Sequence, residues 1–303
     1  MINRYQFEIL RFLEKNKRIL FDVKKIADEI KISRSKVADE IDVMLSKENI
    51  RTKGKMLEIT KNGLKELEPY HVKRAVIMGA GFGSRMMPAT KNCPKPMVKV
   101  NGKRIIETQL DALITAGIKD ITIVRGYKKE KYDELLKKYP FVNFVDNADY
   151  SKTNNISSVM KVLNKVNGGI YLCEADLYIT NPSVITKYQY TSNILGSYSL
   201  QTDDWSFQMK NGHIVNYQQG NTYCYNYYGI SYWTADDCDK LRKDWQEIYA
   251  TEDGKKIFWE FVPLRIRKNN YQIEIRQCNK KDIVEIDNYS ELVALDKSYL
   301  IDK

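Results

Sequence analysis

The run Ala75-Val76-Ile77-Met78 opens without a spacer into Gly79-Ala80-Gly81-Phe82-Gly83-Ser84-Arg85, and this junction constrains the fold more than any other stretch of the chain. Four consecutive apolar residues closed by a glycine are too few for a helix and read as a strand buried on both faces. Three glycines within the next five residues let the backbone approach a polyanion closely and aim its N–H groups at phosphate oxygens. A strand feeding a phosphate-cradling turn calls for an α/β sheet, and the texture that follows agrees. Strands are predicted at 121–125 and 170–174, with helices at 105–116, 128–138 and 154–165. The alternation implies a Rossmann-like, mostly parallel mixed sheet covered on both faces. Residues 196–233 are β-rich with many tyrosines, and a further helix is predicted near 236–249.

A glycine-rich turn after a strand also fits a dinucleotide site, which would want an acidic residue about 20 positions on, at the end of the second strand. Here Val98-Lys99-Val100-Asn101-Gly102-Lys103 offers none, so a triphosphate is the better fit. At 303 residues there is also room for a second, smaller domain. The predicted division is 1–72 and 73–303. In the first part, Tyr5, Ile9, Leu10 and Phe12 or Leu13 have helical spacing, as do Val23, Ile26, Ala27 and Ile30. Ser33 suits an N-cap before a third helix, Arg34 to Lys47, with Val37, Ile41 and Leu45 as its apolar face. A two-stranded wing about Lys53-Gly54-Lys55 and a closing helix from Thr60 to Tyr70 complete a winged helix-turn-helix, and Leu57 to Leu64 resembles the wing of MarR-like domains. Ser33, Arg34, Ser35 and Lys36 suit DNA contacts, while Asp39, Glu40 and Asp42 on the same helix oppose them. Dimerisation or docking is the other use of such a module, and Lys31 stands where these turns commonly have glycine.

The net charge of +10 is spread, with 16 basic against 12 acidic residues in the first 72, so neither part is a polybasic tail. It suits anionic small substrates as well as nucleic acid. No apolar stretch of about 18 residues is present, which leads to the expectation of a cytoplasmic protein without a membrane span. Five scattered cysteines and two histidines argue against a zinc cage.

The loop continues as Gly83-Ser84-Arg85-Met86-Met87-Pro88-Ala89-Thr90-Lys91-Asn92-Cys93-Pro94-Lys95-Pro96-Met97. Here the chain resembles the sugar-phosphate nucleotidyltransferase superfamily, whose signature runs Gly-x-Gly-Ser/Thr-Arg-x-x-Pro-x-Thr and then Pro-Lys. The resemblance implies that Met78, Gly79, Ala80, Gly81, Gly83 and Ser84 hold a nucleotide. Arg85 and Lys95 would be the catalytic cations on the triphosphate. Such transfer normally uses Mg2+, an oxygen-seeking ion that takes one or two carboxylates from the protein. Asp176, at the carboxyl end of the strand around Leu172, is the first candidate ligand. Asp287 is the second, with Glu285 on the same side of a strand by alternation.

Residues 73–300 more specifically resemble the bacterial CTP:phosphocholine cytidylyltransferases, through Asn154-Asn155, Ala175-Asp176 and Glu285-Ile286-Asp287. That likeness implies Asp176 and Asp287 as magnesium ligands with Glu285 in support, and Asn154, Asn155 and Ala175 at the nucleotide. It further implies CTP and phosphocholine as substrates, with a choline pocket walled by Trp205, Tyr232, Phe258, Trp259 and Glu260. A quaternary ammonium carries no N–H and must be held by aromatic faces and carboxylates. Phe258 and Ile156 stand where relatives have tyrosine and an aromatic residue. A smaller acceptor such as phosphoethanolamine or 2-aminoethylphosphonate is therefore an alternative, a sugar 1-phosphate another, and a nucleotide-sensing DNA-binding regulator the alternative from a different class. A homodimer is compatible with all of these.

Overall fold

A computed structural model describes residues 1–300 apart from 17, 18, 21 and 55, with the backbone alone at Ile19 and Leu20. It divides into two compact units, one of Met1–His71 with Tyr188–Tyr190 and one of Val72–Lys187 with Thr191–Lys303.

The smaller unit runs α1 (Arg4–Lys15), β1 (Ile19–Leu20), α2 (Val23–Ile30), α3 (Arg34–Ser46), β2 (Ile50–Lys53), β3 (Met56–Ile59) and α4 (Lys61–Leu67). Its three strands form an antiparallel sheet in the order β1-β3-β2. Asp22 and Ser33 cap α2 and α3 by accepting from backbone N–H groups one turn on. Lys31 takes the left-handed conformation itself, φ 57°, so lysine does what glycine would do more cheaply. Two core assignments differ from the periodicity. Tyr5 is exposed and Phe7 takes its place, because the Asn3–Gln6 capping box sets where α1 starts and which stripe faces inward. On α3, Met44 is buried with Val37 and Ile41, and Leu45 lies at the edge. Glu40 is buried on the same helix, accepting from Asn3 and Gln6 at 3.0 and 2.8 Å and pairing with Lys36. Lys55, in the expected wing turn, lies outside the described residues.

The larger unit contains β4 (Arg74–Gly79), β5 (Lys99–Val100), β6 (Lys103–Arg104), α5 (Ile105–Thr115), β7 (Asp120–Arg125), β8 (Asn143–Asp146), α6 (Ile156–Lys161), β9 (Ile170–Glu174), β10 (Leu177–Ile179), β11 (Asn193–Lys210), β12 (His213–Trp233), α7 (Ala235–Tyr249), β13 (Glu274–Gln277), β14 (Ile283–Glu285) and α8 (Tyr289–Leu295). Its seven-stranded sheet has the order β11-β13-β12-β9-β4-β7-β8. The half β9-β4-β7-β8 is parallel throughout, and β12 enters antiparallel beside β9. Period-two alternation splits β4 between two cores. Ala75 and Ile77 pack with Ile106, Leu110 and Leu113 of α5, whereas Val76 and Met78 pack with Ile156 and Val159 of α6 and with Leu241 and Trp245 of α7. With both faces covered, the free space for a ligand is at the carboxyl ends of the strands.

The expected helix at 128–138 is instead a 3-10 run, Lys129–Lys137, entered from Lys128 at φ 47° with no side-chain cap. The one expected at 154–165 shrinks to α6, because Asn154 and Asn155 are committed to loop contacts before it begins. Among the described residues no helix is long and apolar enough to cross a membrane.

Candidate active site

The glycine loop leaves β4 and must fold back tightly. Gly83 sits at φ 63°, and a Cβ there would meet the Cβ of Lys95 at 2.7 Å, so only glycine lets the two limbs of the loop approach. Thr90 Oγ1 donates to the Gly83 carbonyl at 2.8 Å and ties the limbs together. The loop thereby forms one side of a cleft of about 310 Å3. Met78, Gly79, Ala80, Gly81, Gly83, Ser84, Arg85, Lys95, Asn154, Asn155 and Ala175 all line it, as do Asp176 and Asp287.

The two aspartates come together through a short antiparallel pairing of β10 with β14, in which Leu177 faces Glu285 and Ile179 faces Ile283. Asp176 precedes one strand and Asp287 follows the other, so the register places them at the same end. Oxygens of Asp176, Glu285 and Asp287 lie within 4.8 Å of one another. The Nζ of Lys95 stands between them, 3.0 Å from Asp176 and 3.1 Å from Asp287, and Arg85 reaches Asp287 at 2.9 Å. Burial works against the Lys95 charge, but Asp176 and then Asp287 outweigh it and hold the ammonium above its ordinary range. Glu285 is pushed well up, first by burial and then by repulsion from Asp176 and Asp287. Three close oxygen donors, with Asp176 Oδ1 buried and without a partner, fit a hard divalent cation such as Mg2+.

Glu174 escaped the sequence reading. It is the last residue of β9 and lines the cleft two residues before Asp176, and a carboxylate at the carboxyl end of a buried strand is the signal that would have found it. Its Oε1 accepts from the indole N–H of Trp259 at 2.8 Å and from the Asn155 amide at 3.4 Å. Asn155 Oδ1 in turn accepts from the Trp259 backbone at 2.8 Å. Glu260 is buried beside this network, and desolvation pushes its carboxyl up to about 7. Asn147, Tyr150, Ser157 and Ser158 also line the cleft, and Asn147 bridges both serines.

Of the expected aromatic wall only part assembles. Trp205 is half-buried among Tyr217, Phe261 and the exposed Phe258, at ring separations of 5.0, 5.1 and 6.4 Å. Trp259 is not a wall, because its ring is fully buried edge-on against Trp233 and Trp245. Tyr232 is buried against Tyr171 in the core on the other face of the sheet, so it also leaves the set.

The Glu260 environment has a measurable consequence. The native carboxyl keeps its proton up to about pH 7, and the unfolded one loses it near its ordinary value of 4.5. Between these limits the native state binds more protons, so stability should fall as pH rises across that window and level off above it. The Glu260 share is up to about 3 kcal/mol. Urea unfolding at pH 5 and 7.5 measures it, and Glu260→Gln should flatten the difference; an unchanged pH dependence in that variant would discount the burial.

A family model described as Nucleotidyl transferase matches residues 74–192. The 2-aminoethylphosphonate cytidylyltransferase of Lancefieldella rimae is 36% identical over 233 residues, covering 75% of this chain and 93% of the relative. The choline-phosphate cytidylyltransferase of Streptococcus pneumoniae is 30% identical over 233 residues, with coverage of 74% and 97%. Among solved structures, the CTP:phosphocholine cytidylyltransferase of Streptococcus pneumoniae superposes with a TM-score of 0.70 at 27% identity, covering 76% of this chain and all of that one.

Proposed function

The chain belongs to the nucleotidyl transferase family, and on that premise we propose that it moves CMP from CTP onto a small phosphorylated or phosphonylated amine, releasing pyrophosphate. Phosphocholine and 2-aminoethylphosphonate are the acceptors that the relatives' names suggest. The observation that carries this reading is the convergence of Lys95, Arg85, Asp176 and Asp287 in the cleft built by the glycine loop, with Glu285 close to the two aspartates.

In this mechanism the loop N–H groups cradle the triphosphate and Arg85 offsets its charge from the solvent side. Lys95 sits where negative charge gathers as the bond between the α-phosphorus and the bridging oxygen breaks. An acceptor oxygen attacks in line on the α-phosphorus, and the pyrophosphate leaves on the opposite side. A phosphate monoester is largely dianionic at pH 7, with its second pKa near about 6, so no protein base has to remove a proton. That agrees with a cleft that contains no histidine. Asp176, Asp287 and Glu285 are the residues that would hold Mg2+, which when bound supplies charge neutralisation at the transferring phosphate. The protein's contribution is placement and fixed charge.

For the N-terminal unit we propose a winged-helix architecture, from the three helices and the three-stranded antiparallel sheet. The charge near Ser33 gives a DNA surface little support, since Lys36 is spent on Glu40 and Asp39 and Asp42 are exposed.

The test is pyrophosphate release from CTP, UTP, ATP and GTP, each offered phosphocholine, phosphoethanolamine, 2-aminoethylphosphonate and glucose 1-phosphate. CTP with one of the amines should exceed every other combination by at least about tenfold, the discrimination that one or two cleft hydrogen bonds supply. No release with CTP and any of the amines would overturn the reading.

A further inference from the structure

Behind the cleft, the larger unit buries polar atoms that find no hydrogen-bond partner among the described residues. Glu260 is 6% exposed, and its Oε2 has no hydrogen-bond partner. The hydroxyls of Tyr217 and Tyr227 are likewise buried and unpartnered. Glu260 is the strongest charge acting on both tyrosines and on Glu174. Among the described residues neither Glu174 nor Glu260 makes an ion pair, whereas Lys95 and Arg85 are already engaged by the neighbouring aspartates. Without a counter-cation these two buried carboxyls are costly to ionise, and a positively charged ligand with hydrogen-bond donors would offset that cost.

Resting on the transferase reading above, we infer that Glu174, backed by Glu260, receives the ammonium group of the acceptor, and that this site selects an amine bearing N–H groups over a quaternary one. A primary ammonium brings three donors to a place where Glu174 Oε1 already accepts from Trp259 and Asn155, while Glu260 Oε2 and two tyrosine hydroxyls lack partners among the described residues. A trimethylammonium brings none and depends on aromatic faces, yet the Trp259 ring is buried in the core and its N–H is spent on Glu174. The fold also makes room for this carboxylate specifically. Gly229 on β12 lies over it at φ 51°, and a Cβ there would meet Glu174 Cγ at 2.6 Å. Glu174 ends β9 and Asp176 sits in the turn that follows, and both line the cleft.

The experiment compares matched acceptors that differ only in methylation, 2-aminoethylphosphonate against its N,N,N-trimethyl derivative and phosphoethanolamine against phosphocholine, by kcat/KM with saturating CTP. Each primary amine should exceed its trimethyl partner by at least about 100-fold, the discrimination expected of a site built to hydrogen-bond an N–H. Glu174→Gln should raise the acceptor KM and shrink that preference by about tenfold or more. Gly229→Ala, which crowds the same carboxylate, is the second variant and should shrink the preference too. Equal use of the methylated and unmethylated acceptors would overturn the inference while leaving the transferase reading intact. So would a Glu174→Gln loss of the same size on both members of a pair. Absence of turnover with all four acceptors would instead sink the transferase reading itself.

Discussion

Asp176→Ala should lower kcat for pyrophosphate release by about 10³-fold without lowering the melting temperature. The size of the rate effect follows the loss of a main contributor to charge stabilisation at the transferring phosphate. The sign of the stability effect comes from the cluster around it. Asp176 lies within 4.8 Å of Glu285 and Asp287, and it raises the carboxyl of Glu285 by repulsion. Its removal relieves that repulsion, and Lys95 keeps Asp287 as a partner at 3.1 Å. Added Mg2+ should raise the melting temperature of the original protein more than that of the variant, because a ligand stabilises only the state that binds it. A variant with kcat within about tenfold of the original, well short of what loss of such a group costs, would remove Asp176 from the reaction.

Lys95→Ala should be as inactive and, in contrast, markedly less stable. The side chain is 11% exposed and is held by two carboxylates at 3.0 and 3.1 Å. Deleting it leaves Asp176, Glu285 and Asp287 close together, with the exposed Arg85 as their remaining ion-pair partner among the described residues. Removing one partner of a buried ionic group costs about 3 kcal/mol or more. Denaturant unfolding in the presence of a chelator should show that loss, and Mg2+ should recover more stability in this variant than in the original, since the cation then supplies the missing positive charge. An unchanged unfolding midpoint would mean that the ammonium is not the counter-charge of the cluster. The pair of variants thus separates two roles that activity alone would confuse, since both cripple turnover but only the Lys95 change lowers stability.

Features whose cause is local could be read from the chain directly. The buried strand into Gly79, the glycine-rich turn after it, the cap at Ser33 and the β-rich stretch of 196–233 depend on neighbours close in the chain, so their signals survive in one dimension. Asp176 and Asp287 were nameable because each ends or follows a strand, yet their meeting depends on the register of β10 against β14, which no local pattern contains. The 3-10 run at 129–137 and the shortened α6 show the same boundary, since a left-handed Lys128 and the loop contacts of Asn154 overrode a helical periodicity.

Residue chemistry and spacing by themselves determined the sheet, the phosphate loop and the set of charged groups able to act there. Only the tertiary structure decided which aromatic rings are walls and which are core, sending Trp259 and Tyr232 inward and leaving Trp205 half-open. It alone showed Glu174 beneath Gly229 with unpaired oxygens behind it. The physical reason is that burial and partnership belong to pairs of residues far apart in the chain. A tryptophan's face and a carboxylate's missing counter-ion exist only after packing has chosen their neighbours.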